Sequence, residues 1–150
     1  MANLDATEIL DKHLKENTAN GNMHPGDNWY EKDYREAVDL VWGFTDLNWH
    51  SLKKMFEDRS HVWQEACVFI LGESNTKSSV KMLSDVFIDG GDKIACYAAV
   101  FLSDQSFSEL PEDEKTEISS RLKDLLKDEK FKQFGDHYRI CLEKMRDMLK

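Results

Sequence analysis

Apolar residues recur at three- and four-residue intervals along most of the chain, and the spacing predicts a succession of helices. Leu4, Ile9, Leu10 and His13/Leu14 trace one side of a helix over 4–16. Its acids Asp5, Glu8 and Asp11 stand early, where the helix dipole favours them. Tyr34, Ala37, Val38, Val41 and Trp42 line the apolar face of a helix within 30–44, which Gly43 helps to end. Thr45 or Asp46 caps a helix over 47–57 whose apolar residues are Trp49, Leu52, Met55 and Phe56, and Ser60 caps the next, over 61–71. That helix is apolar on most sides, the mark of a buried one, and Gly72 is expected to stop it. Val80, Leu83 and Phe87, with Met82 and Val86 beside them, define a helix that Asn75 or Thr76 starts. Gly90 and Gly91 then sit in a turn where positive φ is open to them. Residues 94–102 are again nearly all apolar, with Ala95, Ala98 and Ala99 small enough for close helix approach.

Past a connector at 103–110, Pro111 is placed at the first position of a helix striped by Ile118, Leu122, Leu125 and Leu126. Glu112, Asp113 and Glu114 in its first turn and Lys127 at its far end match the dipole, so the acidic run needs no partner to explain it. After a break at 128–135, Asp136 caps a last helix carrying Tyr138, Ile140, Cys141, Leu142, Met145, Met148 and Leu149. Residues 17–28 form the one clear loop, read as a flexible connector. The expectation is an all-α chain of about seven or eight helices forming a single domain over 1–150.

The helices repeat. Ala66, Val68, Phe69 and Ile70 recur as Ala98, Val100, Phe101 and Leu102, about 32 residues on. Leu52, Phe56 and Asp58 precede Leu83, Phe87 and Asp89 by 31. Together with Glu65-Ala66-Cys67, Leu71-Gly72 and Ala98-Ala99, this pattern resembles the HEAT-like helical repeats with a period of about 30 residues. About 75 residues match well; after Leu102 the match decays. The resemblance implies a short stack of antiparallel helix pairs, an α-solenoid whose second helices, near 47–57, 77–88 and 112–127, form a binding surface.

Charge changes the picture from architecture to partners. The formal charge is −9, and all of it falls before Pro111: 19 Asp and Glu against 10 Lys and Arg, then 10 against 10. A negative field repels phosphate backbones and attracts basic surfaces, which argues against direct nucleic-acid binding. Cys67, Cys96 and Cys141 sit inside apolar patterns without a CxxC, as reduced core thiols of a cytoplasmic protein would. No secretory signal pattern opens the chain, and no apolar run suffices to span a membrane.

Candidate chemistry is sparse. His13, His24, His50, His61 and His137 form no H-x-x-x-H or H-E-x-x-H pair, and no nucleophile elbow, Walker loop or dinucleotide glycine set occurs. The expectation is a protein that is not an enzyme and holds no metal or cofactor. Candidate partner-binding residues are Trp29 and Trp49, half-exposed anchors beside helix starts, and the acids Glu57, Asp58, Asp85, Asp89, Asp92, Glu117 and Asp124. A compact, acidic, single-domain chain without catalytic motifs is similar in character to bacterial immunity proteins, which cover the basic groove of a cognate nuclease toxin. That similarity implies a basic protein partner of the nuclease-toxin kind. The alternatives are a HEAT-like scaffold or adaptor for another protein and a nucleic-acid repair enzyme, the last disfavoured by the acidic charge.

Overall fold

The helical spacing is realised throughout the described residues, which are 5–18, 34–105, 107 and 109–149 of the computed structural model. Among them stand eight α-helices and no strand: α1 Ala6–Asn17, α2 Tyr34–Trp42, α3 Asp46–Phe56, α4 His61–Ser74, α5 Lys77–Asp89, α6 Asp92–Leu102, α7 Glu112–Leu126 and α8 Tyr138–Met148. A 3-10 segment, Lys127–Gln133, lies between α7 and α8. Most of the loop expected over 17–28 falls outside the described residues; Asn17 itself closes α1. The chain divides into two compact units, 1–78 and 79–150.

In the first unit, short polar side chains set the helix starts. The Asp5 carboxylate accepts the Glu8 N–H at 2.9 Å, and Ser60 Oγ accepts the Trp63 N–H at 3.2 Å. Thr45 and Asn48 form a reciprocal capping box: Thr45 Oγ1 accepts the Asn48 N–H, and Asn48 Oδ1 accepts the Thr45 N–H. Asn48 also ties α3 to α1. Its Nδ2 donates to the buried Thr7 Oγ1, which donates in turn to the Asn48 carbonyl, both at 3.2 Å.

The strongest polar junction centres on Asp11, in the second turn of α1. Arg59 grips its carboxylate side-on, Nε to Oδ1 at 2.9 Å and Nη2 to Oδ2 at 2.7 Å. The indole N–H of the buried Trp63 donates to Oδ1 at 3.0 Å, and Lys15 Nζ lies 3.4 Å from Oδ2. One side chain therefore joins α1 to the α3–α4 turn and to α4, above a core of Leu10, Leu14, Leu52, Phe56 and Trp63. Burial, the largest single influence, pushes the Asp11 carboxyl up. Arg59, with Lys15, outweighs it and holds the group below its ordinary value.

Two expectations about α2 and α4 are corrected. Gly72 does not stop α4; the helix runs on to Ser74 and ends at Asn75, which takes the left-handed conformation (φ 46°, ψ 47°) that Asn tolerates better than most residues. Trp42, whose spacing put it in the core, is 60% exposed. It is the last residue of α2, and its ring swings out so that Nε1 donates to the Ser74 carbonyl at 3.0 Å. That bond occupies one of the carbonyls left over at the end of α4. At the other end of α2, the Tyr34 ring meets Phe69 edge-on at 5.2 Å. The two contacts advance in the same direction along both helices, so α2 and α4 run parallel.

In the second unit the buried set includes Leu83, Phe87, Ala95, Ala98, Ala99, Leu102, Ile118, Leu122, Leu125, Phe131, Leu142 and Met145. α5 and α7 are joined by Lys81 to Glu114 at 2.8 Å, Ser84 to Glu114 at 3.3 Å, and Arg121 to the Gly90 carbonyl at 2.8 Å. These pairs also advance together, so α5 and α7 are parallel. Pro111 stands one place earlier than expected, as the N-cap of α7, with ψ 151° before the helix begins. Asp136 does not cap α8; the helix follows His137, which makes no side-chain capping bond. Ile140, expected in the apolar face of α8, is 71% exposed.

Asp11→Asn keeps the shape and removes the charge, leaving Arg59 part-buried without its anion. It should destabilise the protein by about 2 kcal/mol at neutral pH, seen as a lower urea midpoint. Because the folded value of Asp11 lies below its ordinary one of 3.8, its contribution is present above that value and is lost as pH falls through the folded value. The gap between wild type and variant should therefore close in strongly acidic solution.

Candidate protein interface

The acids singled out on α5, at the start of α6 and on α7 belong to the second unit, but do not share one role. Lys81 Nζ sits 3.2 Å from Asp85 Oδ1 as well as 2.8 Å from Glu114. Arg121 Nη2 donates to Asp92 Oδ1 at 3.0 Å, and Lys130 Nζ to Asp124 Oδ1 at 2.9 Å. The Lys130 hydrogen bond is the main reason that the Asp124 carboxyl lies below its ordinary value. Asp85, Asp92 and Asp124 thus have a cation each. Asp89 and Glu117 are exposed and make no ion pair among the described residues. Glu117 stands one helical turn before Arg121, and Arg121 is bonded to the residue after Asp89. The two uncompensated acids therefore stand on the same α5–α7 strip, Glu117 between the Glu114 and Arg121 contacts of α7 and Asp89 at the end of α5.

The turn that holds Asp89 is built on close approach, not on positive φ as expected. Gly91 has φ −61°, and the only glycine with positive φ among the described residues is Gly135. A Cβ on Gly90 would stand 2.5 Å from the Val86 carbonyl oxygen and 2.8 Å from Ile94 Cγ2. A Cβ on Gly91 would meet nothing within 4 Å.

In the first unit Glu57 and Asp58 are exposed at the end of α3 and make no ion pair among the described residues. Their neighbour Arg59 turns inward and gives its hydrogen bonds to Asp11. Trp49 is half-buried, its ring edge-on to Phe44 at 5.2 Å, so it is a packing residue with one accessible side. Trp29 lies outside the described residues.

Apolar spacing does not single out the most exposed apolar pair of this unit, Trp42 and Leu47, the latter 78% exposed. Leu47 carried a signal. Five residues before Leu52, it points roughly 140° away from the buried stripe of α3. Trp42 carried none, since it lies four residues after the buried Val38 and only the end of the helix releases it.

Burial raises the Cys67 thiol well above its ordinary value. Burial, assisted by Asp92, pushes Cys96 up to about 11. Both stay protonated at neutral pH, the inert state of a thiol. Cys141 is half-buried, not a core thiol. His13 lies 4.0 Å from Glu36 and His61 3.8 Å from Glu65, separate pairs on different helices. Among the described residues no group of three or more His, Cys, Asp and Glu could hold a metal ion, and no helix is long and apolar enough to cross a membrane.

Gly90→Ala should destabilise the protein by about 1–3 kcal/mol, because the contact is with backbone that cannot swing aside, while Gly91→Ala should be close to neutral. Paired thermal or urea unfolding of the two variants checks this. Comparison of the chain with protein families, with curated proteins and with solved structures returned no match.

Proposed function

We propose that this protein is a non-enzymatic binding module that takes a basic protein onto an acidic helical surface, and that the partner is a nuclease toxin, neutralised in the manner of bacterial immunity proteins. The observation that carries the reading is the pair Asp89 and Glu117. Both are exposed and make no ion pair among the described residues of the α5–α7 strip, while the neighbouring acids are neutralised within the chain. Cross-linked by Lys81, Ser84 and Arg121, the strip holds these charges on two parallel helices, so little order has to be gained on binding. The overall charge of −9 would steer a basic partner toward it.

The parallel alignment of α2 with α4 and of α5 with α7, through contacts between residues about 30 to 35 apart, supports the HEAT-like reading of the helices. In such a stack α5 and α7 are successive second helices, the ones that line a binding face.

The test is titration of the protein against a panel of basic bacterial nuclease-toxin domains, reading nuclease activity and affinity at low and high salt. One nuclease should be bound and inhibited stoichiometrically, more weakly as salt rises. The double reversal Asp89→Lys, Glu117→Lys should weaken that complex about tenfold, mainly by slowing association. Full protection by the double variant would remove these two acids from the interface. Inhibition of no nuclease, with capture of a different basic protein, would keep the binding module and discard the toxin.

A further inference from the structure

Trp42 and Leu47 flank the tight turn between α2 and α3, five residues apart, and both are mostly in solvent. The corner between them is built firmly. The Gly43 N–H bonds the Leu40 carbonyl at 3.1 Å, and the Phe44 N–H bonds Val41 at 3.0 Å. The Thr45–Asn48 capping box sets the first turn of α3, Phe44 packs on Trp49, and the Trp42 indole is moored to the Ser74 carbonyl. An exposed tryptophan that already has its hydrogen bond presents ring surface with no polar atom left to desolvate. Covering such a ring leaves no indole N–H without a partner.

Acids outnumber bases around it. Within four residues along the chain of Trp42, Leu47 or Ser74 stand three exposed acids, Asp39, Asp46 and Glu73, against Lys77 and His50. An apolar centre with an anionic rim complements a cationic amphipathic surface: an apolar side chain to lie against Trp42 and Leu47, with Lys or Arg on either side of it.

We infer that the α2–α3 corner is a docking site for a cationic amphipathic helix of the partner protein, anchored on Trp42 and Leu47 and bordered by Asp39, Asp46 and Glu73. The inference rests on the reading that the partner is basic, and adds to it where the apolar part of that partner is held. Leu47 supplies the anchor, Trp42 a fixed platform, and the acids the attraction for a basic partner.

Two synthetic 18-residue peptides test it by titration calorimetry on the full chain. One has leucine and lysine at helical spacing; in the other every leucine is replaced by serine, with the same charge. The leucine peptide should bind at least tenfold tighter and shift the indole N–H resonance of Trp42, identified by its loss in Trp42→Phe. In Leu47→Asn, which alters an exposed position and no charge, the advantage of the leucine peptide should fall to within about threefold. Equal binding of the two peptides by the wild type, or an advantage that survives Leu47→Asn, overturns the corner as anchor while leaving the acidic-surface reading in place. Binding of neither peptide overturns both. Light scattering that shows a dimer dispersed by Leu47→Asn, with no peptide effect, assigns the corner to a second copy and likewise overturns the inference.

Discussion

The first unit depends on one carboxylate. Asp11 accepts two hydrogen bonds from Arg59 and one from Trp63, with Lys15 close by, and it does so where water is largely excluded. A part-buried charge is costly unless nearly every lone pair is used, and here the geometry uses them. Because Arg59 and Trp63 lie on either side of the α4 N-cap at Ser60, the same contact fixes both the direction of the α3–α4 turn and the rotation of α4 against α1. It also decides what faces solvent. Drawing Arg59 inward leaves Glu57 and Asp58 exposed while their neighbour's guanidinium is engaged by Asp11, so an internal ion pair shapes the outer charge.

Helix existence was legible in the sequence because it depends on local spacing. The apolar stripes of α3, α5 and α7 and the caps at Thr45 and Ser60 need only near neighbours, and each was readable from a few residues. Helix ends were less legible. Gly72 looked like a stop, yet glycine merely permits an end. α4 continues past it to Asn75 because burial of Ile70, Leu71 and Ser74 stabilises two more residues of helix than propensity alone would keep. Gly90 was read as a conformational device and is a steric one, a distinction that depends on where Val86 and Ile94 stand in space.

The surface was the least legible part. Seven acids were singled out by type and position, but whether an acid is an external charge depends on the cation that folding brings to it. Lys81 is four residues from Asp85 on one helix, a pairing that sequence can suggest. Arg121 is 29 residues from Asp92, and Arg59 is 48 from Asp11, and only the packing of separate helices pairs them. The same limit applies to tryptophan. Trp63 and Trp42 have similar apolar surroundings in sequence; one is sealed against Asp11 and Phe56, the other is turned out at a helix end.

Once the internal pairs are set aside, the two kinds of surface feature divide the work of recognition. Uncompensated acids such as Asp89 and Glu117 act over a Debye length, about 8 Å at physiological salt, and favour encounter with basic proteins in general. They discriminate weakly among them, because any lysine-rich surface satisfies an exposed carboxylate. An apolar corner acts only on contact, and only on a partner whose own apolar group stands at the matching place. Leu47 is held out by a helix that would be equally well capped and packed without it: the Thr45–Asn48 box does not involve the Leu47 side chain, and α3 buries its stripe through Leu52 and Phe56. A leucine left in water by a helix that has no structural use for it there gains nothing in the free chain, and its burial becomes favourable only when something covers it.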